Sequence, residues 1–329
     1  MDNFYFYTET AFHHEGDLEY LKKLIIASKE TGAGGIKFQV LTQTNDFIST
    51  KHSAFKNLSS WCFSYETWHE IFSFTKEQGL DIILMPLNSA ALDLIPHFQI
   101  KFIEIHSVSF NDKQLHKKIK DTAIDLIIGM GGRTLEEVSE MQFYFGDQLK
   151  VLMTGFQSFP SNMEDIKLGR IADLKKRFPQ YIIGYADHSA FDNEFAVISN
   201  DYAYLLGARI FEKHITVSEG VERVDYSAAV SPEKIKESIF RLQFLSKYVL
   251  LPDKEYQHFN EPELKYRNRQ LICVAARNIT KGEVIGEMDM KLKMIDVNGQ
   301  TISKKEDAVG KSAAEDIAFD DPIFQNLLA

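Results

Sequence analysis

Residues 4–39, FYFYTETAFHHEGDLEYLKKLIIASKETGAGGIKFQ, hold two short apolar runs on either side of an amphipathic stretch. Phe4 to Thr8 has the length and aromatic content of a buried strand. From about Asp17 to Thr31 the residues Leu18, Leu21, Leu24 and Ile25 recur on one helical face, and Gly32 stops the helix. Gly35 to Gln39 then predicts a second strand. A strand, a helix and a strand in that order form a βαβ unit, because parallel strands need a long crossover between them.

The same alternation continues through the first three quarters of the chain. Further strands are predicted at Ile82 to Met85, Phe102 to Ile105, Ile124 to Ile128, Lys150 to Thr154, Ile182 to Ala186 and Ala208 to His214, each followed by a helical pattern. Thr134-Leu135-Glu136-Glu137 is a capping box that marks the start of the helix after the fifth strand. Eight pairs predict an α/β fold with a closed (β/α)8 barrel, the TIM-barrel architecture. An open, doubly wound sheet is the competitor that pattern alone leaves standing.

Three segments are expected: a barrel over residues 1–250, a linker over 251–267 and a small domain over 268–329. Leu251 to Arg267 is polar, with two prolines and seven charged residues. Beyond it, Gln270 to Ala276 is strand-like and Lys281-Gly282-Glu283 predicts a turn, so the last segment reads as compact and strand-rich. The stretch from Val40 to Ser64 is long for a connection, a feature of functional lids or disorder.

A formal net charge of −10 argues against grip on a nucleic-acid backbone. No apolar run reaches membrane-spanning length, and the first residues lack a basic, cleavable leader. Cys62 and Cys273 have no metal-site or disulfide spacing. A cytoplasmic enzyme, without nucleic-acid or membrane partners, is the expectation.

In a barrel of this kind the strand ends face the active mouth. Here they are polar: Glu9, Lys37 and Gln39, Ser107, Gln157, Asp187-His188, then Glu212 and His214. His188 and His214 end neighbouring strands and can converge on a divalent ion, with Asp187 and Glu9 as oxygen partners. Two core histidines bonded to backbone carbonyls are the plain alternative. Lys37 within GGIKFQ suits an anion, a Schiff base or an outward, snorkelling lysine. The turn from Gly129 to Thr134, with Gly131 and Arg133, opens a helix and can hold a phosphate or carboxylate. Glycines there also serve tight packing.

These residues resemble the sialic acid synthase family, whose members condense phosphoenolpyruvate with an N-acetylated hexosamine to a nonulosonic 2-keto sugar acid. The likeness is carried by residues 13–39, by GYADHS (184–189), GARIFEKHITV (207–217) and VDYSAAVSPEK (224–234), and by RNRQLICVAARNITKGEVI from Arg267. That last stretch resembles the family's C-terminal antifreeze-like (SAF) domain.

The resemblance implies a divalent metal, Mn²⁺ or Mg²⁺, on His188 and His214. It implies Glu9 and Asp225 against sugar or water, and Lys37 and Gln39 beside the donor. Ser107, Gly131, Arg133, Gln157 and Asp187 are the remaining expected contacts to substrate. Arg269 resembles the arginine that reaches a partner's site, which implies a domain-swapped homodimer. The role implied is in surface polysaccharide, such as spore coat, biosynthesis.

Several positions depart from the family pattern on the phosphate side: Glu104 stands at a lysine position, Gly129 and Ala186 at serines, Gln157 at an asparagine and Ser109 at a carboxylate. Three explanations stay open at this point. Lys101, His106 or Arg133 has taken over the phosphate, the three-carbon donor differs, or catalysis is lost. Two rival functions follow: a non-catalytic sugar-binding relative, and a metal-dependent pyruvate aldolase or lyase.

Overall fold

The computed structural model describes residues 4–155, 158–250, 259–267, 269–297 and 299–329. Eight parallel strands close on one another in sequence order, so the barrel prevails over the open sheet. They are β1 (Tyr5–Glu9), β2 (Gly35–Val40), β3 (Asp81–Pro86), β4 (Ile100–Ile105), β5 (Leu126–Gly129), β6 (Leu149–Thr154), β7 (Ile182–Asp187) and β8 (Ile210–His214). Closure is made by β8 pairing with β1, with Glu9 beside His214, while on its other edge Glu9 lies beside Lys37 of β2.

Around the strands lie α1 (Leu18–Glu30), α2 (Phe55–Trp61), α3 (Tyr65–Glu77), α4 (Lys113–Asp121), α5 (Leu135–Phe145), α6 (Gly169–Arg177), α7 (Phe195–Leu205) and α8 (Pro232–Phe244). Asp17 caps α1 by accepting from the Tyr20 amide, and Gly32, at φ +84°, turns the chain back toward β2. Leu21, Leu24 and Ile25 are fully buried, each contributing about 1.5–3 kcal/mol. The capping box of α5 is present in both directions, Thr134 N to Glu137 Oε2 at 2.8 Å and Glu137 N to Thr134 Oγ1 at 3.2 Å. Between β3 and β4 the expected helix is replaced by a 3₁₀ run, Ser89–His97, which contains Pro96 and so lacks one amide donor.

Alternation along each strand sorts side chains between two cores. Outward residues such as Ile36, Phe38, Leu84, Ile103 and Phe211 pack under the helices. Inward residues Tyr7, Ile83, Phe102, Ile127, Val151, Met153, Ala186 and Ile210 fill the barrel. Gly35 is required at the floor, where a Cβ would run into the Tyr5 hydroxyl and the Asp81 carbonyl oxygen.

The long stretch after β2 carries α2 and is anchored at its two ends. Leu41 and Phe63 are buried, and the Leu41 carbonyl accepts from Cys62 Sγ and Trp68 Nε1. It does not line the barrel mouth.

A second unit spans Leu251–Ala329. Residues 251–258 lie outside the described residues, but part of the stretch expected as linker forms a helix, α9 (Glu261–Arg267). Strands β9 (Ile272–Ala275) and β10 (Met290–Lys293) pair antiparallel over a core that includes Cys273, Ile285, Met290, Ile302 and Ile323. Gly282 takes φ +82° at the expected turn.

Candidate functional site

The carboxyl ends of the strands surround a cavity of about 430 Å³. Inward positions of four strands bring Glu9, Lys37, Gln39, Glu104, Glu212 and His214 to it, and His188, one residue past β7, joins them. All except Gln39 are buried.

Lys37 is the centre of this arrangement. Its Nζ lies 2.7 Å from Glu212 Oε2, 2.9 Å from Glu9 Oε2 and 3.1 Å from Glu104 Oε2. The ammonium donates to Glu104 and Glu212 and is paired in charge with Glu9. Below it the Tyr7 hydroxyl lies 2.7 Å from Glu212 Oε2 and 3.1 Å from Glu104 Oε2. Gln39 Nε2 donates to the other oxygen of Glu9 at 2.9 Å.

Burial works against the charge on Lys37, but Glu104, Glu212 and Glu9 outweigh it and hold the ammonium above its usual range. The carboxylates share a single cation. Burial therefore lifts Glu104 and Glu212 to about 7, with Lys37 only partly opposing the rise. Asp225, at the rim with φ +64°, is raised to about 6 by burial and by Glu9.

His188, Glu212 and His214 each offer one ligand atom within 4.8 Å of the others. The two imidazole rings are 5.2 Å apart, and the Phe159 ring packs edge-on against both, at 5.6 Å and 5.3 Å. His188 Nδ1 lies 3.0 Å from the Ala186 carbonyl, a bond that fixes the tautomer with its lone pair on Nε2. Burial lowers both imidazoles below their ordinary range, His214 further because His188 is close. Two neutral imidazoles and a carboxylate suit a divalent transition ion or Mg²⁺, so the residues present fit the expected metal.

The other expected residues divide. Ser107 and Gly131 line the cavity, as does Asp225. Asp187 does not. It precedes His188, and alternation turns it to the outer face, where Lys213 lies 2.8 Å away and Ser189 donates through amide and hydroxyl. Burial opposes the charge on Asp187, yet Lys213 and Ser189 hold the carboxyl below its ordinary value.

Arg133 is also turned away: Nη2 donates to the Ser107 carbonyl at 2.6 Å, Nη1 lies 3.3 Å from Glu137, and the guanidinium stacks on Phe110. The amides of Met130, Arg133 and Thr134 in the same turn already have partners. Lys101 sits at the amino end of β4, 3.6 Å from Asp81 and over the Tyr5 ring. His106 alone of the three suggested substitutes lines the cavity, and burial and Lys37 hold it at about 4, hence neutral. Gln157 lies outside the described residues. Arg269 is an exposed residue of the second unit, its amide donating to the Tyr266 carbonyl.

Two participants had been given no role from sequence. Glu212 had its signal in the strand period, since it lies two residues before His214 and so shares its face. Glu104 had been identified only as an exchanged position, and its ion pair with Lys37 had no local signal.

Residues 24–248 match the NeuB family, and residues 272–329 match the SAF domain. The N-acetylneuraminate-9-phosphate synthase of Drosophila melanogaster is 28% identical, covering 99% of this chain and 96% of its own length. A pseudaminic acid synthase of Campylobacter jejuni is 26% identical over 96% and 94%. In fold, a Chromobacterium violaceum protein assigned to spore coat polysaccharide biosynthesis superposes with a TM-score of 0.85 at 22% identity, covering 99% of each chain. A closed eight-stranded barrel ending in two histidines and a glutamate, followed by a strand-paired C-terminal unit, thus accompanies a match over most of the sequence, and the chain belongs to the NeuB family with a SAF domain at its carboxyl end.

Proposed function

We propose that the barrel mouth joins a three-carbon donor to the open-chain aldehyde of an N-acetylated hexosamine, giving a nonulosonic 2-keto sugar acid of the kind used in polysaccharide synthesis. The observation that carries this reading is the donor set His188, Glu212 and His214 beside Lys37, in a cavity of about 430 Å³. The names of the Drosophila and Campylobacter relatives supply the substrate class. A divalent ion on those three side chains, Mn²⁺ or Mg²⁺, would act as a Lewis acid on a carbonyl oxygen.

The chain's own residues supply the rest. His188 is oriented through the Ala186 carbonyl, and Phe159 shields both imidazoles from water on one side. Asp225, raised to about 6, is a better proton acceptor than an ordinary aspartate and can take up a proton and return it to an oxygen that gains charge. Glu9 fixes Gln39 and Lys37 together, so both keep one geometry as substrate arrives. A Schiff-base route through Lys37 is disfavoured, because an ammonium gripped by three carboxylates has no lone pair to attack a carbonyl.

The test is to incubate the full chain with Mn²⁺, a panel of N-acetylated hexoses and either phosphoenolpyruvate or pyruvate, and to follow 2-keto acid formation by mass spectrometry. A 2-keto acid with a nine-carbon backbone, the acetyl group retained, is expected with at least one pair. No product from any pair would overturn the proposal.

A further inference from the structure

We propose that His13 and Glu15, on the turn between β1 and α1, are positioning residues that hold Asp225 at the barrel mouth by gripping the backbone of Val224 through both its N–H and its carbonyl. This inference rests on reading Asp225 as a working group of the condensation site.

His13 Nδ1 lies 2.6 Å from the Val224 carbonyl oxygen, and the Val224 amide donates to Glu15 Oε1 at 2.9 Å. Both backbone polar groups of one residue are thus taken by side chains 211 and 209 positions away in sequence. Asp225 follows directly, in the left-handed region at φ +64°, and lines the cavity. A residue with a side chain keeps such a backbone where its surroundings hold it there.

A carbonyl can only accept, so His13 Nδ1 carries the hydrogen and Nε2 is left to accept from the Thr216 hydroxyl, 2.9 Å away. Burial holds the imidazole below its ordinary range and so keeps this neutral form, with one donor and one acceptor. Thr216 lies just past β8, and His13 therefore ties the base of the loop after β8 to its far side.

Glu15 is held in its turn. Its Oε2 lies 3.5 Å from Arg223 Nη1, and the Arg223 guanidinium stacks on the Tyr20 ring of α1 at 3.8 Å. The turn that carries it is tightly wound, with Ala11 at φ +43°, Glu15 at φ +48° and Gly16 at φ +80°. A Cβ on Gly16 would fall 2.7 Å from the Ser60 carbonyl oxygen, so the turn is pressed against the end of α2.

The base of the loop is closed by the Thr216 amide on the Val230 carbonyl, and beyond Asp225 the Ser227 carbonyl accepts from the Phe191 amide. Asp225 is pinned between that bond and the grip on Val224. Its carboxyl is kept out of water and under the influence of Glu9, the charged group that acts on it. Loss of the bond from Val224 to Glu15 frees the carboxyl to turn toward solvent, whereas loss of the charge on Glu15 alone does not.

Urea melts of the full chain, read by the fluorescence of Trp61 and Trp68 in the barrel, test this without substrate. The quantity measured is how much further Asp225→Asn raises the urea midpoint at pH 8 than at pH 4, in wild-type, Glu15→Ala and Glu15→Gln backgrounds. Groups that titrate independently of Asp225 cancel in each comparison. Glutamine keeps an oxygen for the Val224 amide but, like alanine, brings no charge to Arg223. The pH-dependent gain should fall below about half its wild-type size in Glu15→Ala and stay above about half in Glu15→Gln. A gain that stays above about half in Glu15→Ala, that falls equally in both variants, or that is absent from wild type overturns the proposal. Glu15→Gly, which suits φ +48°, replaces Glu15→Ala if the latter does not fold. Failure of the condensation reading shows differently, as no keto acid from any donor and hexose, and leaves this comparison to decide the positioning by itself.

Discussion

Replacing Lys37 by Met tests whether the carboxylates gathered around it depend on one ammonium for the charge they keep. At 2.7–3.1 Å and an effective dielectric near 20, each ion pair is worth roughly 5–6 kcal/mol before desolvation. The variant does not lose that sum, because the carboxylates escape mutual repulsion by binding protons. Holding one more glutamate neutral, against an ordinary value near 4.5, costs about 1.4 kcal/mol for each pH unit above it.

The destabilisation should therefore be about 1–2 kcal/mol at pH 5.5 and about 4 kcal/mol at pH 7.5. The sign follows from a folded-state pKa raised above the unfolded one: the cost is absent below the unfolded value and grows as pH rises. Both tryptophans, Trp61 and Trp68, lie in the barrel, so their fluorescence in urea melts at several pH values reports this unit alone. A loss of stability that does not change between pH 5.5 and 7.5, or that stays below 1 kcal/mol throughout, would refute the charged cage.

Other perturbations separate the cavity from its supports. His188→Ala and His214→Ala should each weaken Mn²⁺ binding by on the order of a hundredfold, read by calorimetry, with Glu212→Gln somewhat milder. Asp225→Asn should stabilise the protein at pH 8 by up to about 3 kcal/mol, since the carboxyl is raised to about 6 and its cost is fully present above that value. The gain should vanish near pH 4, and Asn tolerates the left-handed backbone at φ +64°. Asp187→Asn strands the buried Lys213 ammonium and should cost about 3–5 kcal/mol in urea melts while leaving Mn²⁺ affinity within about threefold.

The barrel was legible in the sequence because short apolar runs alternate with amphipathic stretches eight times over, and some helices carry their own stop, as Gly32 does for α1. Periodicity failed where backbone chemistry overrode it. Ser89–His97 has helical spacing but holds Pro96, and the structure is a 3₁₀ run. After β2, Leu41 and Phe63 anchor the two ends of a stretch whose middle stays exposed or half-buried, and length alone does not say what that middle does. The reading of Leu251 to Arg267 as linker rested on charge, and charge does not forbid α9, whose Glu261 and Lys265 pair one turn apart.

In the site, the part fixed by strand period could be read and the part fixed by closure could not. Asp187 and His188 are neighbours, so a strand continuing through both can aim only one of them at the cavity, and Ala186, two residues before His188, shares the face it takes. The same reasoning places Glu212 with His214 and sets Lys213 outside, where it meets Asp187. What no local pattern contains is the meeting of Glu9, Glu104 and Glu212 on Lys37. That contact needs β8 to pair with β1 and needs β4, two strands from β2, to reach across the mouth. A lysine in an apolar strand announces only that some anion must answer it. Here the anions are the protein's own, two of them accepting hydrogen bonds from the ammonium and a third paired with it in charge.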